Sequence, residues 1–280
     1  MYKIKLIVLL LLSITYFGCK KLVFEDRDGC SSYFRINLDN VSYKDVDTLY
    51  MWYFGSDKIL VRKDTLTSNS FGRDYLVEIK RDIIEMYVWG KRGKDMKVYD
   101  DKTLNSALVK GYGGECDSLY YYRSVINTRR DFSFDTIRLF KEFATLNVSF
   151  KTTPQENDSI WIAVESNIMG EYIDTRPYRN RGEIIVNQNV NFIDDRVDFS
   201  FRIGRQHPNL SNLEAKVYVR REGVDYKFFN IPLEEWLREL NYDFYAVSLE
   251  DIWLSVDVSM GFATIKVKDW VVVKSVKIEI

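Results

Sequence analysis

The chain has 280 residues, with 40 basic against 41 acidic side chains and a single histidine, for a formal net charge of −1. That balance lacks the basic excess that marks a nucleic-acid binder, so no nucleic-acid partner is expected. With 46% hydrophobic and 15% aromatic residues, the chain can bury a sizeable core and does not have the composition of a disordered protein.

Residues 1–18 read as a signal peptide. Lys3 and Lys5 precede the apolar run 6–14 (LIVLLLLSI), and Gly18 closes the segment. The run is shorter than the roughly 20 residues a spanning helix needs. Cys19, directly after this small residue, predicts lipoprotein processing: cleavage between Gly18 and Cys19, with acyl chains on Cys19. Two or three chains on one residue anchor stably where a single chain does not. Tyr16 and Phe17 are bulkier than the residues usual before such a cut, and an ordinary signal peptide with a chance cysteine is the plain alternative. Lys20, rather than an acid, follows the cysteine and favours the outer membrane. Residues 19–30 then form a lipidated tether.

From Tyr33 the pattern has period two. Phe34, Ile36 and Leu38 alternate with Arg35, Asn37 and Asp39, as in a half-buried strand. Residues 48–54 (TLYMWYF) form an aromatic strand, a turn follows at Gly55, and 58–64 make the return strand. Residues 75–80 and 85–90 are two more strands. Lys91 to Lys94 read as a solvated basic turn. Residues 94–117 are irregular; the glycines at 111, 113 and 114 do not make a phosphate loop, because no Gly-Lys-Ser or Gly-Lys-Thr follows. Residues 119–126 (LYYYRSVI) are strand-like.

A second series begins near Lys141. Residues 144–151 and 159–165 are strands joined by a loop, 174–182 form a charged loop holding Pro177, and 183–191 and 196–203 are strands. Glu222-Gly223 is a tight hairpin turn between 215–221 and 224–231. Residues 232–240 (PLEEWLREL) are the best helix candidate, with proline at the start, acids in the first turn and Leu233, Trp236, Leu237 and Leu240 at helical spacing. Strands 251–259, 263–268 and 270–280 end the chain. The pattern predicts an all-β protein of about seven strands per half, built as two tandem β-sandwiches covering 31–140 and 141–280.

Catalytic chemistry is sparse. His207 precedes a proline and reads as a surface residue, with no Gly-x-Ser-x-Gly elbow to use it as a base. No His-x-x-x-His or Cys-x-x-Cys spacing offers a metal site, and no cofactor is expected. The acidic pairs Asp100-Asp101, Asp194-Asp195 and Glu234-Glu235 read as solvated faces rather than a glycosidase dyad. The six tryptophans read as core first and as a sugar platform second. Cys30 and Cys116 could pair in an oxidising compartment or stay as two buried thiols; both alternatives stand.

Several stretches together resemble one family: the acidic tether 24–30 after the lipoprotein cysteine, residues 75–79 (YLVEI), 86–90 (MYVWG) and 263–270 (ATIKVKDW). In order and spacing across nearly the whole mature chain, they resemble the FimB-type fimbrial anchor subunits of the fimbrillin (type V pilus) system. The resemblance implies two transthyretin-like β-sandwich domains. It also implies a non-enzymatic role at the base of a surface fimbrium, fixed by lipid to the outer membrane, that anchors the stalk and limits its length. The expected partners are a fimbrial stalk subunit and the outer membrane. Val276, Ile278 and Ile280 alternate with polar residues at the end of the chain. That strand would either complete a neighbouring subunit's sheet or close its own sandwich. The rival reading is a surface glycan-binding lipoprotein that uses exposed aromatics.

Overall fold

The computed structural model describes residues 29–42, 44–92, 97–99, 101–110, 116, 118–151, 159–188, 196–257 and 261–275. Cys19, the expected signal segment 1–18 and the terminal residues Val276, Ile278 and Ile280 lie outside the described residues. The first ten strands are β1 (Ser31–Asn37), β2 (Thr48–Phe54), β3 (Leu60–Thr67), β4 (Asp74–Lys80), β5 (Ile83–Arg92), β6 (Lys97–Tyr99), β7 (Leu108–Lys110), β8 (Ser118–Asn127), β9 (Phe132–Thr136) and β10 (Phe140–Lys141). Next come β11 (Phe143–Lys151), β12 (Ser159–Tyr172), β13 (Pro177–Gln188), β14 (Arg196–Gly204), β15 (Glu214–Arg221) and β16 (Val224–Ile231). A short helix α1 (Leu233–Glu239) precedes β17 (Ile252–Asp257), β18 (Phe262–Val267) and β19 (Trp270–Ser275).

Among the described residues the strands form four sheets, in the orders β4-β1-β9, β10-β8-β5-β2-β3, β14-β11-β17-β18-β19 and β16-β15-β12-β7-β6, with β13 paired to β12. The protein is all-β and sandwich-like. Phe34, Ile36 and Val77 of the first sheet meet Met51, Ile84 and Met86 of the second in one core. Leu146, Val148, Phe199 and Leu254 of the third sheet meet Ile162, Val164, Val217 and Phe229 of the fourth in a larger one.

The aromatic runs in β2 and β5 follow from burial on both faces. Met51 and Tyr53 point into the first core, while Trp52 and Phe54 point the other way. Likewise Met86 and Val88 face the first core, and Tyr87 and Trp89 face away from it. That outer face is covered by Leu104, Ala107 and Val109 around β7 and by Ile173, which makes a third core. A strand covered on both sides loses its alternation and reads as a continuous apolar run. Each such side chain contributes roughly 1.5–3 kcal/mol on burial.

The β6–β7 segment also crosses between the halves. Leu108, Val109 and Lys110 pair with Tyr172, Glu171 and Gly170 of β12, beyond the boundary expected near residue 140. Trp89 Nε1 donates to Ile173 O at 3.0 Å, and Ile173 N donates to Ala107 O at 2.8 Å.

The Glu222-Gly223 hairpin is present; both residues have positive φ, 51° and 81°, as a two-residue I′ turn requires. The helix lies within the expected span, with Leu233, Trp236 and Leu237 buried. Two local expectations are corrected. Residues 177–182, expected in a loop, belong to β13, where Pro177 occupies the first strand position, one that tolerates a missing N–H. Lys91, expected in a solvated turn, is buried in β5 with its ammonium 5.8 Å from the Tyr50 ring centroid.

Candidate functional site

The tryptophans divide evenly. Trp52, Trp89 and Trp236 are core, Trp161 is half-buried, and Trp253 and Trp270 are 46% and 66% exposed. Trp161 stacks on Tyr218 at 5.1 Å, with the Arg220 guanidinium 5.3 Å from its ring. Among the described residues, no cluster of His, Cys, Asp or Glu has the geometry to hold a metal ion.

Cys30 and Cys116 stand at opposite ends of β8. Cys30 is exposed, next to Ser32, whose hydroxyl donates to Arg130 O just past the strand's far end. Cys116 is half-buried two residues before β8 begins and donates its N–H to Arg202 O at 3.1 Å. A strand of 10 residues separates its ends by about 30 Å. A disulfide needs Cα atoms within about 7 Å. The structure contains no bond between the two cysteines.

His207 is not a surface residue: it is 8% exposed and lies at the foot of a cleft of about 590 Å³. Tyr121, Phe140, Arg176 and Tyr245 line the walls of that cleft. Its Nε2 lies 3.6 Å from Oε1 of Glu171, a carboxyl that is itself buried. Burial, and then the nearby Glu142 charge, pushes the Glu171 carboxyl well up; burial and Arg205 push His207 down. The favoured state is a protonated carboxyl beside a neutral imidazole. Among the described residues, neither His207 Nε2 nor Glu171 Oε1 has a hydrogen-bond partner.

Arg205 closes the same cluster. It forks onto Glu142 through Nε at 2.9 Å and Nη2 at 2.5 Å, and donates to the carbonyls of Phe244 and Ala246. Its backbone N–H meets Glu142 O, and Glu142 N–H meets Leu119 O. One guanidinium therefore ties β14, the β10–β11 junction and the loop after α1 together. Of the pair Glu234-Glu235, Glu235 is exposed as expected, and Glu234 is corrected. Glu234 is buried, and accepts from the N–H groups of Asn209 at 2.6 Å and Leu213 at 3.4 Å and from Arg238. Asp101 accepts from Trp52 Nε1 and Lys63. Asp194-Asp195 lie outside the described residues.

One open sheet edge among the described residues is at the end of the third sheet. β19 pairs with β18 on one side only and is outermost among the described residues. Trp270, Val271 and Val273 are each at least half exposed along it. An outer strand with apolar side chains is a template for a further strand.

No family model and no curated protein matches the chain. Solved structures do. The fimbrial anchor protein Mfa2 from Porphyromonas gingivalis matches with a TM-score of 0.62 at 12% identity, over 86% of this chain and 99% of that one. A Bacteroides thetaiotaomicron chain named for polysaccharide binding matches with a TM-score of 0.64 at 14% identity, over 87% and 97%. An adhesin-named chain from the same species matches with 0.61 at 16% identity, over 86% and 96%. The chain shares their fold. Identity at this level carries the architecture, and roles must be argued from this chain's own residues.

Proposed function

We propose that the chain is a non-enzymatic fimbrial subunit, held on the outer membrane by lipid on Cys19, that fixes a fimbrium to the cell and limits its length. The carrying observation is the fold match to a fimbrial anchor over nearly the full length of both chains. The lipoprotein-like start and the FimB-like stretches point the same way. In this reading, residues 31–140 and 141–280 are tandem transthyretin-like sandwiches. Stalk contact runs along β19 and the following Val276, Ile278 and Ile280. Backbone hydrogen bonds supply affinity, and pockets for alternate side chains fix register. Fimbriae released with their bases by detergent extraction of the outer membrane should carry the chain at one end, visible by immunogold labelling. Fimbriae that never carry it would overturn the proposal. Deleting 275–280 should release fimbriae without lowering the stability of the isolated protein; retained fimbriae with a destabilised protein would remove this strand from the contact.

A second role, saccharide binding, is favoured by one observation: a tryptophan-walled depression on the outer face of the third sheet.

A further inference from the structure

Two adjacent rows of side chains cross the outer face of the third sheet. Register places Ser200, Asn147, Trp253 and Lys266 side by side in one row. Asp198, Ser149, Ser255 and Thr264 lie side by side in the next. The side chains between these positions on each strand, such as Val148, Leu254 and Ile265, point into the core. A large indole therefore rises from the middle strand beside a floor of small hydroxyl residues. Together they form an open depression of about 510 Å³, in the size range of small-ligand sites.

The chemistry of this depression selects its occupant. A pyranose ring has an apolar C–H face and a rim of hydroxyls that both donate and accept. Trp253, 46% exposed, offers the flat apolar surface. Ser149, Ser255, Thr264 and Asn147 offer donors and acceptors together. Charge is nearly balanced: Arg196 pairs with Asp198 at 2.9 Å and Lys151 with Asp257 at 3.4 Å, leaving Lys266 as the remaining cation in these rows. That is too little positive charge for nucleic acid or an anionic membrane. A protein partner's centre would meet aliphatic and aromatic side chains, whereas this floor is hydroxyl and amide.

We infer that the Trp253 depression is a binding site for a neutral saccharide, its C–H face stacked on the indole and its hydroxyls met by Ser149, Ser255 and Thr264. The inference rests on the second reading above and not on the fimbrial one. Affinity electrophoresis of the purified chain through gels containing mannan, xylan, dextran or laminarin tests both levels. Retardation is expected in at least one gel. Trp253→Ala should weaken it tenfold or more, and Ser255→Arg, which fills the depression and leaves Trp253 in place, should do the same. Trp270→Ala, an exposed tryptophan outside the depression, should bind as wild type. Thermal melts confirm that each variant is folded. Wild-type protein that runs unretarded in all four gels overturns the saccharide reading itself. Retention that survives both Trp253→Ala and Ser255→Arg overturns this site and leaves the reading. Self-association abolished by Trp253→Ala, without saccharide retention, would make the face a protein interface instead.

Discussion

Glu171 is buried, with its Oε1 3.6 Å from His207 Nε2 and the Glu142–Arg205 pair nearby. Its folded pKa is raised above the ordinary carboxyl value of about 4.3. The folded state therefore keeps a proton that the unfolded chain releases. The stability tied to this group is complete below about pH 4 and is lost as pH rises towards the folded value. His207 works the other way: its pKa is lowered, so stability falls as pH drops below about 6.5 and the unfolded chain takes up the proton. Glu171→Gln keeps a donor towards Nε2 and removes the carboxyl titration. The variant should melt higher than wild type at pH 8, with the gain shrinking towards pH 5. A variant less stable at every pH would mean the pair is ionised. Arg205→Met leaves Glu142 buried without its partner and should cost about 3–5 kcal/mol in denaturant unfolding; a loss below 1 kcal/mol would show that the pair is not needed. Cys30→Ser, at an exposed position joined to nothing by disulfide, should leave the midpoint unchanged.

At the scale of elements, α1 depends on one side chain. Glu234 is pushed up by burial, but the N–H groups of Asn209 and Leu213 and the Arg238 guanidinium outweigh this and hold its carboxyl below the ordinary range. Glu234→Ala strips the N–H groups of Asn209 and buried Leu213 of their acceptor and should cost about 1–3 kcal/mol, read from the shift in urea midpoint. Gly90 shows why a glycine follows Trp89 in β5: an added Cβ would lie 3.1 Å from Val46 and 3.2 Å from Leu139. Gly90→Val should destabilise by about 1–3 kcal/mol, measured the same way. Strands, hairpin turns and the helix were legible because alternation, Glu222-Gly223 and the Leu233–Leu240 spacing are local signals. The buried cluster was not. Along β12 the inward positions Ile160, Ile162, Val164, Ser166 and Ile168 share one parity, and the irregularity between Ile168 and Gly170 flips it, so that Glu171 and Ile173 turn inward. An extra residue in a strand exchanges its faces, and nothing local in the sequence announces it. Lys91, Glu234 and His207 depart from expectation for a related reason: polar residues are ordinarily exposed, and the partners Tyr50, Asn209 and Glu171 lie far away in the chain. For Trp253, alternation with Ile252 and Leu254 marks the outward face, but the hydroxyl floor beside it exists only once four strands are in register.

Across the whole molecule, the two halves are joined by more than the chain passing from β10 to β11. β7 completes a sheet of the second half, Ile173 fills a core of the first, and Arg205 links the junction to the loop beyond α1. Calorimetry should therefore show one cooperative transition at neutral pH. Two resolved transitions would mean the shared third core does not couple the halves. The wider account joins this fold to a lipid on Cys19 and a fimbrium at the cell surface. Cys19→Ala in the native host, followed by membrane fractionation and electron microscopy of the same cells, tests it most directly. The account predicts that the protein leaves the membrane fraction and that fimbriae are shed or grow overlong. Protein that leaves the membrane while fimbriae stay attached at normal length would contradict it.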